Sequence, residues 1–424
     1  MKITAVRGFR DILPEESAIW QRIETQARTS LAAYGFSEIM LPVLEKTELF
    51  ARAIGETTDI VEKEMYTFTD RDESSLTLRP EGTASVIRAY IEHSLAHREP
   101  VSKLFYIGPM FRRERPQKGR YRQFHQIGAE ILGRDDPLID AELLLMLHDF
   151  FTTLHLEVAI DVNSLGDVVC RPRYRERLRA FGESRIAELC ENCRARLHRN
   201  PLRLLDCKEP GCRQVTADAP VLTDFLCDPC RDHFARVQAA LRQENVGFAL
   251  NPRLVRGLDY YCRTSFEVIA QGLGSQNAVC GGGRYDGLVE QLGGPAVAGI
   301  GFAIGVERLV MLLQAQHHPS AVPDLFIVPL GEAAESRAFS VAHRLRQGGY
   351  RIELESGSRG LKAQMRRADK LGVRYVLILG ENELAADKGT VRDMQAKSDR
   401  PVAIDLALPA QALIAAIYNV SDQP

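Results

Sequence analysis

The stretch SKLFYIGPMFRRERPQKGRYRQFHQIGAEILG, residues 102–133, decides how this chain is read. Its two ends are strand-like runs of apolar and aromatic residues, and between them lies a polar, strongly basic loop. Two strands turning back on each other under one loop predict a mostly antiparallel sheet rather than a doubly wound parallel one. The loop carries Arg112, Glu114 and Arg120, and Phe124 follows in the second run. Together they offer charge for a chain of phosphate oxygens and a flat face for a base, and arginine's planar fork can bind two oxygens at once. A basic loop alone also describes a plain solvated face, so its meaning rests on the arginine-bearing stretches elsewhere.

Upstream, SAIWQRIETQARTSLAAYG over 17–35 sets Ile19, Ile23, Ala27 and Leu31 on one face and ends in glycine, which predicts an amphipathic helix. FSEIMLPVLE continues as an extended element reaching Pro42. YTFTD and SLTLRP predict short strands, and TASVIRAYIEHSLA a helix begun at a Gly-Thr turn. Downstream, 138–156 predicts a helix and HLEVAIDVNSLG a strand with a turn. From about 168 to 245 the texture changes to arginine-rich helical stretches, cysteine pairs and the loop NPLRLLDCKEPGC. Strand-like patterns resume at TSFEVIA, so the segment reads as an insertion within one domain. CGGGRYDGL and AGIGFAIGVERLVMLL then predict a strand leading through glycines into an apolar helix. The loop QAQHHPSAVP marks a domain boundary. After it, DLFIVPL, a helix over 332–347, RIELE, a helix over 360–371, VRYVLILG and a last helix near 404–418 alternate as in a small α/β domain.

With 424 residues, 45% hydrophobic and 26% charged, the chain suits a protein of two or three well-filled domains. Its formal net charge of -2 argues against a uniformly basic nucleic-acid binder but leaves room for local basic patches. MKITAVRGFRDILPEE lacks the apolar core of a secretory signal, and no apolar run approaches membrane-spanning length, so neither secretion nor a membrane span is expected. The nine cysteines, mostly gathered between 170 and 230, fit a reducing, cytoplasmic setting with a local metal site or free thiols better than a disulfide scaffold.

FRRERP through the loop to RQFHQ, GFAIGVERLVML, and the helix plus strand closing at Pro42 resemble the three signature motifs of class II aminoacyl-tRNA synthetases. RGLDYYCRTSFE at 256–267 and GGRYDGL at 282–288 resemble stretches specific to the histidyl-tRNA synthetase family, and the likeness runs through almost the whole chain. It implies an α+β fold. A class II catalytic domain over 1–320 would be built on a mostly antiparallel sheet, with a helical insertion over 168–245 near the tRNA acceptor arm. A small C-terminal α/β anticodon-binding domain would span 324–424. The implied activity is ATP-dependent ligation of L-histidine to its cognate tRNA through a histidyl-adenylate, releasing pyrophosphate and AMP.

Carried over position by position, the resemblance has Arg112 and Arg308 binding ATP phosphates and Phe124 stacking under the adenine. Glu114 reads the adenine amino group or arranges the nucleotide, and Arg120 holds the distal phosphates. Arg256 approaches the α-phosphate beside the bound histidine and is expected to carry the chemical step with Arg112 and Arg308, while Mg2+ accompanies the outer phosphates. RPEGT at 79–83 contributes Glu81 and Thr83 near the histidine ammonium, with Gln126 in the same pocket. Glu130 and Tyr261 hydrogen-bond the imidazole and Tyr285 lines it. If the 260–261 segment is extended, only one of Tyr260 and Tyr261 can face the ring, and the family pattern favours Tyr261. The family also implies a homodimer, with the first motif at the interface.

Cys190-x2-Cys193 and Cys227-x2-Cys230 have the spacing of two zinc-binding halves, with Cys207 and Cys212 between them. These are six candidates for four positions, and the two C-x-x-C pairs are the expected ligands of one structural Zn2+, free thiols being the alternative. RPRYRERLRAFGESR offers a basic surface for an RNA backbone. In the C-terminal domain, Arg359, Lys362, Arg366 and Arg367 are expected to line one side of a helix near RNA.

Overall fold

Pro14 at the first helical position, with Glu15 and Glu16 in the first turn, starts helix α1 (Pro14–Ala33). Its buried face is Trp20, Ile23, Ala27 and Leu31, so Trp20 takes the first core position expected of Ile19, which is only half-buried. The computed structural model describes residues 3–55, 58–117, 119–273, 277–315, 322–355 and 360–418. After α1 come β1 (Ser37–Glu38), β2 (Leu44–Lys46), α2 (Thr47–Ile54), β3 (Tyr66–Thr69), β4 (Ser75–Leu78) and α3 (Thr83–Glu92). The extended element expected over FSEIMLPVLE is two short strands in different sheets: β1 joins the main sheet, while β2 belongs to a three-stranded sheet ordered β2-β4-β3. Pro42 lies between them and has no amide hydrogen to carry a ladder through. Helix α3 stops earlier than expected, and Ser94 beyond it takes a left-handed conformation.

The main sheet continues with β5 (Ser102–Phe111), β6 (Gln123–Leu132), β7 (Val158–Ser164), β8 (Ala249–Leu250), β9 (Cys262–Ala270), β10 (Ala278–Arg284) and β11 (Gly299–Gly305). Its order is β1-β5-β6-β11-β10-β9-β7-β8. The β1–β5 and β7–β8 pairs at its edges are parallel and the pairs between are antiparallel. The 102–133 hairpin runs in register from Ser102 opposite Leu132 to Phe111 opposite Gln123. Alternation then divides the sheet into two chemically different faces. Phe105, Ile127, Ala129, Ile131, Phe266, Val268, Ile300, Phe302 and Ile304 point into one large core. The opposite positions of β6 and β11 are Phe124, Gln126, Gly128 and Glu130, and Gly299, Gly301, Ala303 and Gly305.

Five more helices in this part of the chain are α4 (Pro137–Thr153), α5 (Cys170–Ser184), α6 (Glu191–Arg199), α7 (Pro210–Val215) and α8 (Asp228–Gln243). Two others, α9 (Leu288–Gln291) and α10 (Val306–Gln314), follow β10 and β11. The insertion's first three helices build two small clusters of their own. Helix α8, inside the range expected for the insertion, instead returns Phe234, Val237 and Leu241 to the large core. Its apolar stripe finds more surface there than the insertion provides, so the separately cored part ends near Cys230, in the first turn of α8, rather than at 245.

A second unit, divided from the first between α10 and β12, has its own cores. Its elements are β12 (Leu325–Pro329), α11 (Glu332–Gln347), β13 (Ile352–Leu354), α12 (Leu361–Leu371), β14 (Tyr375–Leu379), α13 (Glu381–Ala385), β15 (Lys388–Asp393), β16 (Ser398–Ala403) and α14 (Ala410–Tyr418). The sheet order is β13-β12-β14-β15-β16, parallel among the first three and antiparallel thereafter. The final helix begins at Ala410 and not near 404, because the chain before it makes the β15–β16 hairpin. Pro401 is accommodated there because β16 is an edge strand. Among the described residues no helix is long and apolar enough to cross a membrane.

Candidate active site

The polar face of the main sheet is hollowed by glycine. A Cβ on Gly301 would lie 1.7 Å from Oε2 of Glu130 and 2.6 Å from the backbone oxygen of Ala129. A Cβ on Gly281 would lie 2.4 Å from a guanidinium nitrogen of Arg256. Where these glycines leave room, long polar side chains lie flat against the sheet, and two adjoining regions result.

The first is closed and carboxylate-based. Glu130 is fully buried. Thr83 donates its hydroxyl to Oε1 at 2.6 Å, and the Tyr285 hydroxyl donates to Oε2. Burial pushes the Glu130 carboxyl up to about 8 despite these two donors, and the neighbouring Glu81 adds to the rise. Glu81 accepts from the amides of Thr83 at 2.7 Å and Ala84 at 3.0 Å, tying it to the N-terminus of α3. Burial raises the Glu81 pKa as well. Tyr260 and Tyr261 pack ring to ring with centroids 4.6 Å apart, and Tyr260 meets Tyr285 edge-on. The segment before β9 is not extended, so the expectation that only one of the two tyrosines faces this region gives way to both packing in the same cluster.

The second region is an open cleft of about 470 Å³, within the range that holds small-molecule ligands. Arg112, Glu114, Arg120, Phe124, Gln126, Arg256 and Arg308 all line it. Arg112 donates from Nε to the Pro80 oxygen at 2.9 Å, and its guanidinium lies 5.3 Å from the Phe124 ring centroid. Arg120 donates to Glu114 at 2.9 Å. Arg308 donates to the backbone oxygen of Ala278, and burial, followed by the nearby Arg120 cation, lowers its pKa. Two cations set against each other in a half-buried cleft favour an anion between them.

Arg256 joins the two regions. Its Nη1 donates to Glu267 at 2.6 Å and its guanidinium sits 5.4 Å from the Tyr261 ring centroid. Burial alone would lower its pKa, but Tyr261 and Glu267 raise it above the ordinary value, so it is a fixed cation. Its Nε and the Gln126 Oε1 are buried without a hydrogen-bond partner, polar atoms that a ligand in the cleft can satisfy. Glu267 was not singled out in the sequence, although a glutamate inside the apolar run TSFEVIA is a usable signal. Glu307 was also missed. It accepts from the His125 amide at 2.9 Å and so ties α10 to β6.

A family model described as histidyl-tRNA synthetase matches residues 8–309, and one described as anticodon binding domain matches 324–410. The chain belongs to the histidyl-tRNA synthetase family. Two bacterial relatives named histidine-tRNA ligase are each 55% identical to it. That from Syntrophotalea carbinolica covers 96% of this chain and 97% of its own. That from Trichlorobacter lovleyi covers 97% and 99%. The crystal structure titled apo S. aureus histidyl-tRNA synthetase superposes with a TM-score of 0.80 at 36% identity, over 97% of this chain and 100% of that one. As a member of this synthetase family, the chain has a fold of the α+β class, with the mostly antiparallel sheet expected of it. The family, class II synthetases, uses ATP and Mg2+ in general.

Two groups of the expected residues are arranged otherwise than anticipated. Cys190 and Cys193 gather with Cys207 and Cys212, whereas Cys227 and Cys230 gather with Cys170 and Asp167. The four cysteines expected to share one ion therefore sit in different clusters, because Cys207 and Cys212 fold back onto the first pair while the second pair opens α8. In the C-terminal unit, Arg367 is held by Glu355 at 2.6 Å and by Glu353, which leaves Lys362 and Arg366 as the exposed members of the expected set on α12. Arg359 lies outside the described residues.

Proposed function

We infer that the chain ligates L-histidine to its cognate tRNA in two steps, with MgATP as co-substrate. The observation that carries this reading is the buried Glu130 carboxyl, held by Thr83 and Tyr285, opening through Arg256 onto an arginine-lined cleft. In the first step a carboxylate oxygen of histidine attacks the α-phosphorus of ATP, and the bond to the β-phosphate oxygen breaks to release pyrophosphate. No side-chain nucleophile is required, so alignment and fixed charge do the catalysis. On this reading Arg256 stabilises the α-phosphoryl oxygens while Arg112, Arg120 and Arg308 hold the outer phosphates. Phe124 stacks on the adenine, and Glu114 orients the nucleotide. In the second step a terminal ribose hydroxyl of the tRNA attacks the adenylate carbonyl and AMP leaves.

Histidine fits the closed region because its ring N–H needs an acceptor there. Glu130 with Tyr261 serves the imidazole, Glu81 and Thr83 the ammonium side, and Gln126 and Tyr285 complete the pocket. A competitor that lacks the ring N–H offers the buried Glu130 carboxyl no donor of its own, and a lost buried hydrogen bond discriminates more strongly than a misfit of one methylene. We place the acceptor arm near the 168–245 segment, where Arg173, Arg175, Arg177 and Arg179 are exposed on α5. The anticodon falls to the domain over 324–424. We further assign the enzyme to the cytoplasm as a homodimer, with Met40, Val43 and Leu44 beside Pro42 supplying exposed apolar surface for the interface. A zinc ion in the insertion would serve folding and not the transfer. Amino-acid-dependent pyrophosphate exchange into ATP, run with all twenty amino acids, tests the reading. Exchange with histidine alone is expected, and no exchange with any amino acid would refute it.

A further inference from the structure

We propose that the insertion contains two separate structural sites for a thiophilic divalent cation, zinc by its donor set. One is formed by Cys190, Cys193, Cys207 and Cys212, the other by Asp167, Cys170, Cys227 and Cys230. Within each group, one potential ligand atom from every residue lies within 4.8 Å of the others. Four ligands arranged tetrahedrally at zinc–thiolate bond lengths stand about 3.8 Å apart. The Sγ atoms of Cys190 and Cys207 are 3.9 Å apart, and the Cys227 Sγ is 3.8 Å from an Asp167 oxygen. All nine cysteines of the chain are free thiols.

Backbone amides are aimed at a sulfur in each group. Cys190 and Cys227 are the N-cap residues of α6 and α8, so each C-x-x-C places both thiols in the first turn of a helix, where backbone amides favour thiolate. The Cys190 amide donates to the Cys212 sulfur at 3.0 Å, and the Cys227 amide to the Cys170 sulfur at 3.1 Å. Oδ1 of Asp167 is held by the amides of Val169 and Cys170 at 2.9 and 3.1 Å, which fixes the carboxylate with Oδ2 facing the Cys227 sulfur at 3.8 Å. Four thiolates, or three with one carboxylate, in tetrahedral array select zinc over magnesium or calcium.

The sites also meet a structural need. Each borders a very small apolar cluster, Leu189, Leu197, Leu204 and Val215 around the first, and Tyr174, Leu178, Leu205, Leu222 and Leu226 around the second. Cores of that size require a covalent or metal staple. The second site joins the residues just after β7 to those that open α8, so it closes the neck of the insertion. In the first, Cys207 stands between Asp206 and Lys208, which both line the nucleotide cleft, so the ion holds a wall of the cleft in place.

Metal analysis of the full-length, reduced chain, dialysed into metal-free buffer, tests the proposal. Two zinc ions per chain are expected by elemental analysis and native mass spectrometry. Cys190→Ser/Cys212→Ser and Cys227→Ser/Cys230→Ser should each retain one. A parent protein with one zinc or none, iron in place of zinc, or either double variant retaining two ions would overturn it. Should a variant fail to fold, titrating the chelator-stripped parent with Co2+ decides the matter alone. Thiolate charge-transfer and tetrahedral ligand-field bands are expected to saturate at two equivalents, and saturation at one would overturn the two-site assignment.

Discussion

The hydroxyl of Thr83, the first residue of α3, donates to the Glu130 carboxyl at 2.6 Å across the polar face of the main sheet. Helix start and strand end thus share one buried group. In the free site Glu130 is lifted to about 8 by burial, so near neutral pH it is largely protonated. A ligand N–H that needs a carboxylate must displace that proton. Histidine affinity is expected to rise between pH 6 and 8 and level off above. Glu130→Gln should raise the KM for histidine about 10- to 100-fold, with little change for ATP. The substrate's own titration is common to both proteins, so the difference between their KM–pH profiles reports Glu130. Parallel profiles would remove it from the binding pocket.

The same shift fixes a sign for folding. A carboxyl raised above its unfolded pKa contributes stability that is full below the ordinary carboxylate range and is lost as pH climbs toward 8. Glu130→Gln should therefore gain melting temperature over the parent at pH 8.5 relative to any difference at pH 5. A gain confined to pH 5 would mean that Thr83 and Tyr285 hold the ionised form.

Arg256 is expected to matter to turnover more than to histidine affinity. Arg256→Ala should lower pyrophosphate exchange about 100- to 1,000-fold while histidine binding, followed by calorimetry, changes little. Glu267→Gln removes the 2.6 Å partner that positions the guanidinium and should reduce exchange by a smaller factor, with a normal KM for histidine. Exchange near the parent rate in Arg256→Ala would sink the assigned role.

The cleft-lining Arg112, Glu114, Arg120 and Phe124 were legible as one basic stretch of sequence, whereas Gln126, Glu130, Tyr261 and Tyr285 came only with the family resemblance. Phe124, Gln126 and Glu130 share the alternation of β6, and Arg112 and Arg120 lie in the loop feeding it. What escaped are links set by register between distant segments. Gly281 pairs with Glu267 and Gly301 with Glu130 only once β9, β10, β11 and β6 lie side by side. The cysteines failed for a similar reason: spacing identifies a C-x-x-C turn but does not say which turn meets which. The β15–β16 hairpin was hidden because KGTVRD and SDRPVA carry few apolar residues.

Gly301→Ala tests the hollowed face directly. The added methyl would meet both the Glu130 carboxyl and the Ala129 backbone oxygen, and the backbone cannot yield as a flexible side chain can. A loss of about 1–3 kcal/mol of stability is expected, together with weakened histidine binding at temperatures where the variant remains folded. Parent-like values for both would show that the sheet shifts to absorb the methyl.

Arg284 belongs to GGRYDGL, yet its structural work is separate from the ligand. It is wholly buried and donates from Nε to Asp140 at 2.9 Å, while His233 on α8 meets the same carboxylate at 2.8 Å. Burial alone would raise the Asp140 pKa, but His233 and Arg284 together lower it. Its contribution is therefore present above the ordinary aspartate pKa and lost as pH falls through the depressed folded value. Asp140→Asn removes the fully buried anion that faces the Arg284 guanidinium and should cost about 3–5 kcal/mol at pH 7, a gap that narrows below pH 4 in denaturant titrations. Because Tyr285 follows Arg284 directly, the variant should also lose histidine affinity before it unfolds, as β10 loosens its hold on Glu130. Unchanged stability at pH 7 would show that the guanidinium finds enough partners in the backbone oxygens of Arg134 and Asp136 and the carboxylate of Asp286.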